Sequence, residues 1–328
     1  MPCVAIIGVA HPHVEYVLEE LKRSDRKDYT LLGVQDSDVE LAHHYAAPFG
    51  APVFAQVNEI LAERPDVAVI AGRYAERGTE AAAALRAGAH IIADKPLCTS
   101  LEQLNEVEQA VRVSGRSVTL LLEKRGYPET LAAHEFIQTG GLGEIVGITS
   151  VGPHKLNPNT RPEWFFRRDE YGGIIGDLAV HDLDTALLFA PAQSAQVRGW
   201  VRAVAPNGFA HYGVASVITP TTVISAEVSW LTPQASDVHG DYRMRVVGTR
   251  GTLEIFWARG RVEVVTDDRV AHDLTLPPRR RPAQDALDTI AGGATDPKST
   301  DDALAVTRLA LLAQDSADHA GDLRTWSR

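Results

Sequence analysis

From Val4 to Leu122, short apolar runs alternate with stretches of helical spacing. Val4–Gly8 (VAIIG), Tyr29–Gln35, Val67–Ala71 (VAVIA), His90–Ala93 and Ser117–Leu122 are rich in β-branched residues and predict five strands. Between them, Val14–Lys22 repeats apolar residues at Val14, Val17, Leu18 and Leu21, the signature of a helix. Leu41–Phe49, Asn58–Arg64, Thr79–Ala87 and Leu101–Ser114 predict four more helices. Gly50 and Gly88 stop two of these, and Pro65-Asp66 is the exit of another. Strands apolar on both faces, each followed by a helix, imply a doubly wound parallel sheet over residues 1–122, an α/β domain.

After Leu122 the pattern changes. Pro128–Gln138 predicts a helix, Gly140–Gly143 a turn and Glu144–Val151 a strand. Pro153–Arg168 is irregular and carries His154, Lys155, Asn157, Asn159, Arg161 and Trp164, polar donors beside an aromatic face and suited to a polyhydroxylated ligand. From Ala195 to Leu276 strands dominate: Gln196–Ala205, Ala210–Ile218, Thr222–Trp230, Tyr242–Val247, Thr252–Trp257 and Arg261–Val265, joined by turns such as Pro206-Asn207-Gly208 and Arg250-Gly251. Asp301–Asp315 closes the chain as an amphipathic helix. Residues 123–328 therefore read as an α+β domain with a large, mostly antiparallel open sheet. Trp200, Trp230 and Trp257 are expected on an exposed face of it, through which the chain would form a homodimer or homotetramer.

One stretch combines helical spacing with chemistry. In Gly172–Phe189, GGIIGDLAVHDLDTALLF, two glycines precede apolar residues at Ile174, Ile175, Leu178, Leu183, Leu187 and Leu188. Asp177, His181 and Asp184 stand four and three residues apart, so on a helix they share a face. A carboxylate one turn from an imidazole can fix its tautomer, raise its basicity and aim it at a substrate hydroxyl.

The first strand–helix turn is where a doubly wound sheet takes a dinucleotide. Here it reads Gly8-Val9-Ala10-His11-Pro12-His13, with only the first glycine of G-x-G-x-x-G. Gly8, Ala10, His11 and His13 are its candidate cofactor contacts, with Ala71 at the end of the third strand. Asp36 ends the second strand, where an acidic residue bonds the adenine-ribose hydroxyls; this favours NAD over NADP. The same residue could cap the following helix. His11 and His13 could chelate, but no third ligand is evident from sequence, so no metal is expected. His43-His44 reads as surface. Asp94-Lys95-Pro96 ends the fourth strand, placing Lys95 and Pro96 at the carboxyl edge of the sheet. The peptide before Pro96 is a candidate for the cis form. A lysine ammonium there favours alkoxide character on a substrate oxygen.

Composition narrows the class. The chain has 328 residues, 45% hydrophobic and 23% charged, enough for two cores. A formal net charge of −11, with Arg279–Arg281 the one basic block, argues against nucleic acid. Two cysteines, Cys3 and Cys98, make neither a disulfide framework nor a zinc spacing, which points to a reducing compartment. With no leader pattern and no apolar run near the ~18 residues of a membrane span, the expectation is a cytoplasmic protein.

Three segments together resemble the Gfo/Idh/MocA family of oxidoreductases. ALRAGAHIIADKPL is similar to that family's strand leading into Glu-Lys-Pro, with Asp94 standing for the glutamate. TGGLGEIVGI resembles its entry into the second domain, and GGIIGDLAVHDLD its Gly-Gly…Asp-x-x-x-His-x-x-Asp helix. The resemblance implies a Rossmann domain over 1–122 and a substrate-binding and oligomerisation domain over 123–328. It also implies NAD(P)-dependent oxidation or reduction at a C–O carbon of a sugar, cyclitol or related polyol. Lys95 matches the catalytic lysine, Asp177 the helix carboxylate and His181 the acid/base. Lys95, His154, Lys155, Trp164, Asp177 and His181 are then the expected substrate contacts. Three features depart from the family, the first being the glycine fingerprint, degraded at Ala10 and His13. Thr-Pro-Asn after the third strand is Gly72-Arg73-Tyr74 here, and Arg77 takes the position of a usual histidine. The rival readings are a non-catalytic nucleotide-binding regulator, and an enzyme that uses tightly bound NAD for transient oxidation.

Overall fold

The computed structural model describes residues 1–26, 28–204 and 208–328. These form two units. The first comprises 1–122 together with 169–172 and 281–304; the second comprises 123–168, 173–280 and 305–328. The chain thus returns twice to the first unit, which a single boundary after Leu122 does not anticipate. Burial explains one return: Leu287 and Ile290 join the first unit's core, and the Tyr29 hydroxyl donates to the Leu287 carbonyl at 2.7 Å.

The first unit is built on a six-stranded parallel sheet of β1 (Cys3–Ile7), β2 (Thr30–Gln35), β3 (Val53–Phe54), β4 (Val67–Ile70), β5 (His90–Asp94) and β6 (Val118–Leu121). The spatial order is β3-β2-β1-β4-β5-β6. β4 and β5 are buried along their whole length, as their unbroken apolar sequences require. The order reverses between β1 and β4, and in such sheets the ligand crevice lies outside the strand ends at that point. Helices α1 (Val14–Lys22), α2 (Val39–Ala46), α3 (Val57–Ala62), α4 (Tyr74–Arg86) and α5 (Leu101–Ser114) make the crossovers. Asp38 caps α2 by accepting from the Leu41 amide at 3.0 Å, which frees Asp36 from that role. β3, two residues long, is too short to leave a sequence signal.

The second unit carries a nine-stranded sheet. Its strands are β7 (Ile145–Pro153), β8 (Ser194–Ala203), β9 (Ala210–Ile218), β10 (Val223–Ser229), β11 (Arg243–Gly248), β12 (Gly251–Phe256), β13 (Arg261–Thr266), β14 (Arg269–Asp273) and β15 (Arg324–Ser327). They run in the order β14-β13-β12-β11-β7-β10-β9-β8-β15, and only β7 with β10 is parallel. Burial alternates along β8, β9 and β11, so one face is packed and the other open. The packed face meets α6 (Pro128–Gln138), the segment 175–189 and the C-terminal helix. Ala205 and the turn residues Pro206 and Asn207 lie outside the described residues.

The tryptophans divide. Trp200 is 46% exposed on the open sheet, as expected, whereas Trp230 and Trp257 are buried. Trp257 turns inward because its indole N–H donates to Thr130 Oγ1 at 2.9 Å. No helix among the described residues is long and apolar enough to cross a membrane.

Gly199 marks where the C-terminal helix, Pro297–Asp318, comes closest to the second sheet: a Cβ there would lie 1.9 Å from the Ala313 carbonyl oxygen. Gly199→Ala should lower stability by about 1–3 kcal/mol, the range for overpacking a tight site, read as a lower urea midpoint at unchanged slope.

Candidate active site

The cofactor turn is set by the close approach of two backbones. Gly8 has φ +75°, and a Cβ on it would fall 2.2 Å from Gly72 Cα, so the β1 and β4 ends leave no room for a side chain. The Val9 amide donates to Asp36 Oδ2 at 2.6 Å, and the Asp38 amide to Asp36 Oδ1 at 2.8 Å. The His11 amide donates to the Ala71 carbonyl at 3.2 Å. Gly8, His11, Asp36 and Ala71 are therefore brought to one edge of the sheet, with α1 starting just beyond and Ala10 half-buried in the same turn. A bare glycine approach, an acidic β2 terminus and a helix N-terminus fit a dinucleotide.

His11 and His13 do not point idly into the turn. Both direct Nδ1 at Asp94, His11 to Oδ2 at 3.0 Å and His13 to Oδ1 at 2.7 Å. Sequence reading missed this, because Asp94 is more than eighty residues away. The three side chains are a possible metal-ligand set, and here the structure corrects the expectation that no third ligand is near. The carboxylate is already full, however. Oδ1 also accepts the Lys95 amide at 2.8 Å, and Oδ2 the Arg77 guanidinium at 2.9 Å. Burial pushes the Asp94 carboxyl up, but His11, Arg77 and His13 outweigh it and hold it well below the usual range. Burial brings the His11 imidazole down to about 4 against the pull of Asp94, so at neutral pH it is uncharged and donates Nδ1–H.

Arg77 is fully buried and ties this region together. Its Nε donates to the Gly72 carbonyl at 2.8 Å, and its Nη1 to the carbonyls of Lys95 and Pro96 at 2.7 and 3.2 Å. Its guanidinium stacks 4.4 Å from the centre of the Tyr74 ring. The Lys95-Pro96 peptide is cis, and Lys95 is only 6% exposed. Arginine at the position of a usual histidine thus binds the β4 loop to the lysine strand end.

Glu80 lies on the other side of Gly72, with Oε2 3.3 Å from where a Gly72 Cβ would be. Burial, with help from Glu76 and against Arg77, pushes its carboxyl up to about 8.

In the second unit, Asp177 and His181 are both buried, at 1% and 4% exposure. The helix that carries them is not uniform. Residues Ile175–Ala179 form a π-helical turn, and α7 (Val180–Phe189) continues as an α-helix. π-turns inside helices recur at functional sites. Three consecutive residues before α6 then meet this helix in order. Glu123 Oε2 lies 3.8 Å from His181 Nδ1, Lys124 Nζ 2.6 Å from Asp182 Oδ1, and Arg125 clasps both Asp184 oxygens at 2.5 and 2.6 Å. Asp184, expected beside His181, is thus engaged by Arg125.

The expected substrate contacts of the 153–168 segment separate. His154 Nδ1 bonds the Gly152 carbonyl at 3.0 Å, and its ring packs among Trp230, His239 and Tyr242. Lys155 Nζ donates to the carbonyls of Gln234 and Ser236 at 3.2 and 2.7 Å, so its ammonium secures a loop. Trp164 is 7% exposed and packs edge-to-face on Phe165.

The family model described as an oxidoreductase family with an NAD-binding Rossmann fold matches residues 3–121, and the GFO/IDH/MocA C-terminal domain matches residues 130–254. The chain belongs to the Gfo/Idh/MocA oxidoreductase family. Levoglucosan dehydrogenase of Pseudarthrobacter phenanthrenivorans is 28% identical over 158 residues, 47% of this chain and 40% of that protein. D-glucoside 3-dehydrogenase of Escherichia coli is 29% identical over 193 residues, 56% and 52% of the two chains. The matched stretches thus span about half the length of these relatives. Among solved structures, levoglucosan dehydrogenase in complex with NADH and levoglucosan aligns over 100% of both chains, with TM-score 0.84 and 18% identity. UDP-N-acetylglucosamine 3-dehydrogenase of Acidithiobacillus ferrooxidans aligns over 97% and 98% of the two chains, with TM-score 0.78 and 21% identity. Both share the fold.

Two stability measurements check the buried charges. Arg77→Met leaves Asp94 without its permanent cation and should cost about 3–5 kcal/mol, as broken buried pairs do; a urea midpoint close to wild type would contradict it. Glu80 holds a proton in the folded state that the unfolded chain releases above its ordinary value of 4.5. Its contribution to stability is therefore full below about pH 4.5 and is lost as pH rises to about 8. Between pH 5 and 8 the Tm of wild type should fall more steeply than that of Glu80→Gln; parallel curves would refute the assignment.

Proposed function

We propose that the chain is an NAD-dependent dehydrogenase acting on a carbinol carbon of a sugar, cyclitol or related polyol. The observation that carries this reading is the pair of buried ionisable groups held at defined places. Lys95 stands at the end of β5 beside a fully bonded Asp94, and His181 stands on the helix after the π-turn. Ionisable groups held out of water at a strand end and beside a π-turn are candidates for catalytic work. The relatives named as sugar dehydrogenases support the substrate class.

In oxidation the substrate loses a hydroxyl proton and a hydride from the same carbon. His181 takes the proton, and the Lys95 ammonium stabilises the oxygen as negative charge develops. Asp177 is assigned to hold the substrate hydroxyl against the imidazole. NAD, when bound, supplies the hydride acceptor. Gly8, Ala10, His11 and His13 would hold its diphosphate, while Asp36 would bind its adenosine ribose and repel a 2′-phosphate.

A panel of sugars and polyols followed at the nicotinamide absorbance, with NAD and NADP side by side, tests the reading. Net NADH with one member of the panel supports it. Product without net NADH points to transient oxidation, and neither points to a regulator. With the substrate found, His181→Ala should lower turnover by about a hundredfold or more, and near wild-type turnover would remove the acid/base assignment. Lys95→Ala should lower turnover while NAD still binds, measured by quenching of protein fluorescence; loss of NAD binding would move the lysine to another role.

A further inference from the structure

The histidine of this helix is flanked by a carboxylate that no sequence pattern marks. We infer that Glu123 is a positioning residue for His181: its carboxylate selects the Nδ1–H tautomer, leaves Nε2 as the atom that exchanges a proton with substrate, and stabilises the imidazolium once formed.

Three observations support the assignment. The first is distance: Glu123 Oε2 lies 3.8 Å from His181 Nδ1 and sits on the ring nitrogen's side. That is ion-pair range, one small side-chain rotation from a hydrogen bond, and catalytic hydrogen bonds often tighten only when substrate is bound. The second is availability: Glu123 Oε2 is sealed from water and accepts no hydrogen bond, so an acceptor is held ready at a desolvation cost. The third is support on both sides. Lys124, the next residue, is anchored on Asp182, the residue after His181, and its ammonium packs 4.9 Å from the Tyr242 ring centre and 4.7 Å from that of Trp257. Arg125 on Asp184 repeats the pairing one step on. One buried and one partly buried ion pair thus hold the 123–125 segment in register with the helix, and the first pair of the series is the one at the histidine.

The ionisable groups around this segment are Glu123, Lys124 and Arg125 from the connection before α6, Asp177, Asp182 and Asp184 from the helix, and Tyr242. Burial pushes the Asp182 carboxyl up against Lys124, and burial with Glu123 and Asp182 pushes the Tyr242 phenol up, so Tyr242 stays neutral. Lys124 is committed to Asp182. Glu123 Oε2 stands in ion-pair range of His181 Nδ1, and removing its charge lowers the basicity of the imidazole.

The direct test needs no substrate. Nitrogen-resolved NMR of histidine-labelled protein, with His181 assigned by difference from His181→Ala, reports tautomer and titration in wild type, Glu123→Gln and Glu123→Asp. Wild type should show the Nδ1–H tautomer, and its imidazole should titrate about one pH unit or more above that of Glu123→Gln, the scale for a carboxylate at this separation. Glu123→Asp should recover part of the shift. The same tautomer and titration in all three would overturn the inference, as would titration that moves with Asp177→Asn instead. The kinetic half rests on the dehydrogenase reading: Glu123→Gln should lower kcat by about 10- to 100-fold with KM little changed, and should move the acid limb of the kcat/KM profile to lower pH. An NMR shift with no turnover on any substrate would sink the dehydrogenase reading and leave the dyad standing. Turnover with an unshifted histidine would do the reverse.

Discussion

The first unit depends on one buried ion pair, Arg77 with Asp94. A fully buried guanidinium and a fully buried carboxylate are costly to desolvate, and they persist only when every lone pair and proton is matched. Here the carboxylate is fully engaged and the guanidinium nearly so. Asp94 accepts from Arg77, His11, His13 and the Lys95 amide, and Arg77 also donates to the carbonyls of Gly72, Lys95 and Pro96. The pair thereby joins three strand ends: β1 through the histidines, β4 through Gly72 and β5 through Lys95. A change at any of these reaches the other two, because the carboxylate has no spare acceptor to absorb it.

This arrangement explains how a glycine-poor cofactor turn is tolerated. Two bulky histidines stand in this turn, His13 at the position of the fingerprint's third glycine and His11 at an unrestricted one. They fit because Asp94 anchors both rings at Nδ1 and they pack edge-to-face on each other, with His13 stacked on Tyr16. The one glycine that is kept, Gly8, is the one whose neighbour Gly72 forbids a Cβ. The loss of two glycines and the arginine in place of histidine are thus parts of one substitution of means, in which side-chain hydrogen bonds fix a turn that small residues fix elsewhere.

How much of this the sequence disclosed follows from how local each feature is. The alternation of apolar strands with helices, and the alternating burial of the second sheet, are short-range patterns; the two sheets were legible from them. So was the acidic end of β2. The two-residue β3, the edge strands β14 and β15 and the helix Gln284–Ala291 were missed, being short or placed in polar surroundings. Trp230 and Trp257 were misplaced because sheet periodicity does not say which face is covered, and a hydrogen bond to Thr130 decided it for Trp257. The meeting of His11 and His13 with Asp94, and of Glu123 with His181, joins residues far apart in the chain, so no spacing rule could disclose either. Lys155 is a basic residue in a polar segment that reads as a ligand contact, and its ammonium donates to two loop carbonyls that the sequence could not disclose.

The central claim is that the chain's buried lysine and imidazole serve direct hydride exchange with a carbinol carbon. Once a reactive polyol is known, the most direct measurement is a single turnover with that polyol deuterated at the reacting carbon, followed by mass and NMR analysis of the nicotinamide. The account predicts that the deuterium is recovered on the nicotinamide ring of the reduced cofactor. Deuterium released to water, with none in the cofactor, would contradict it.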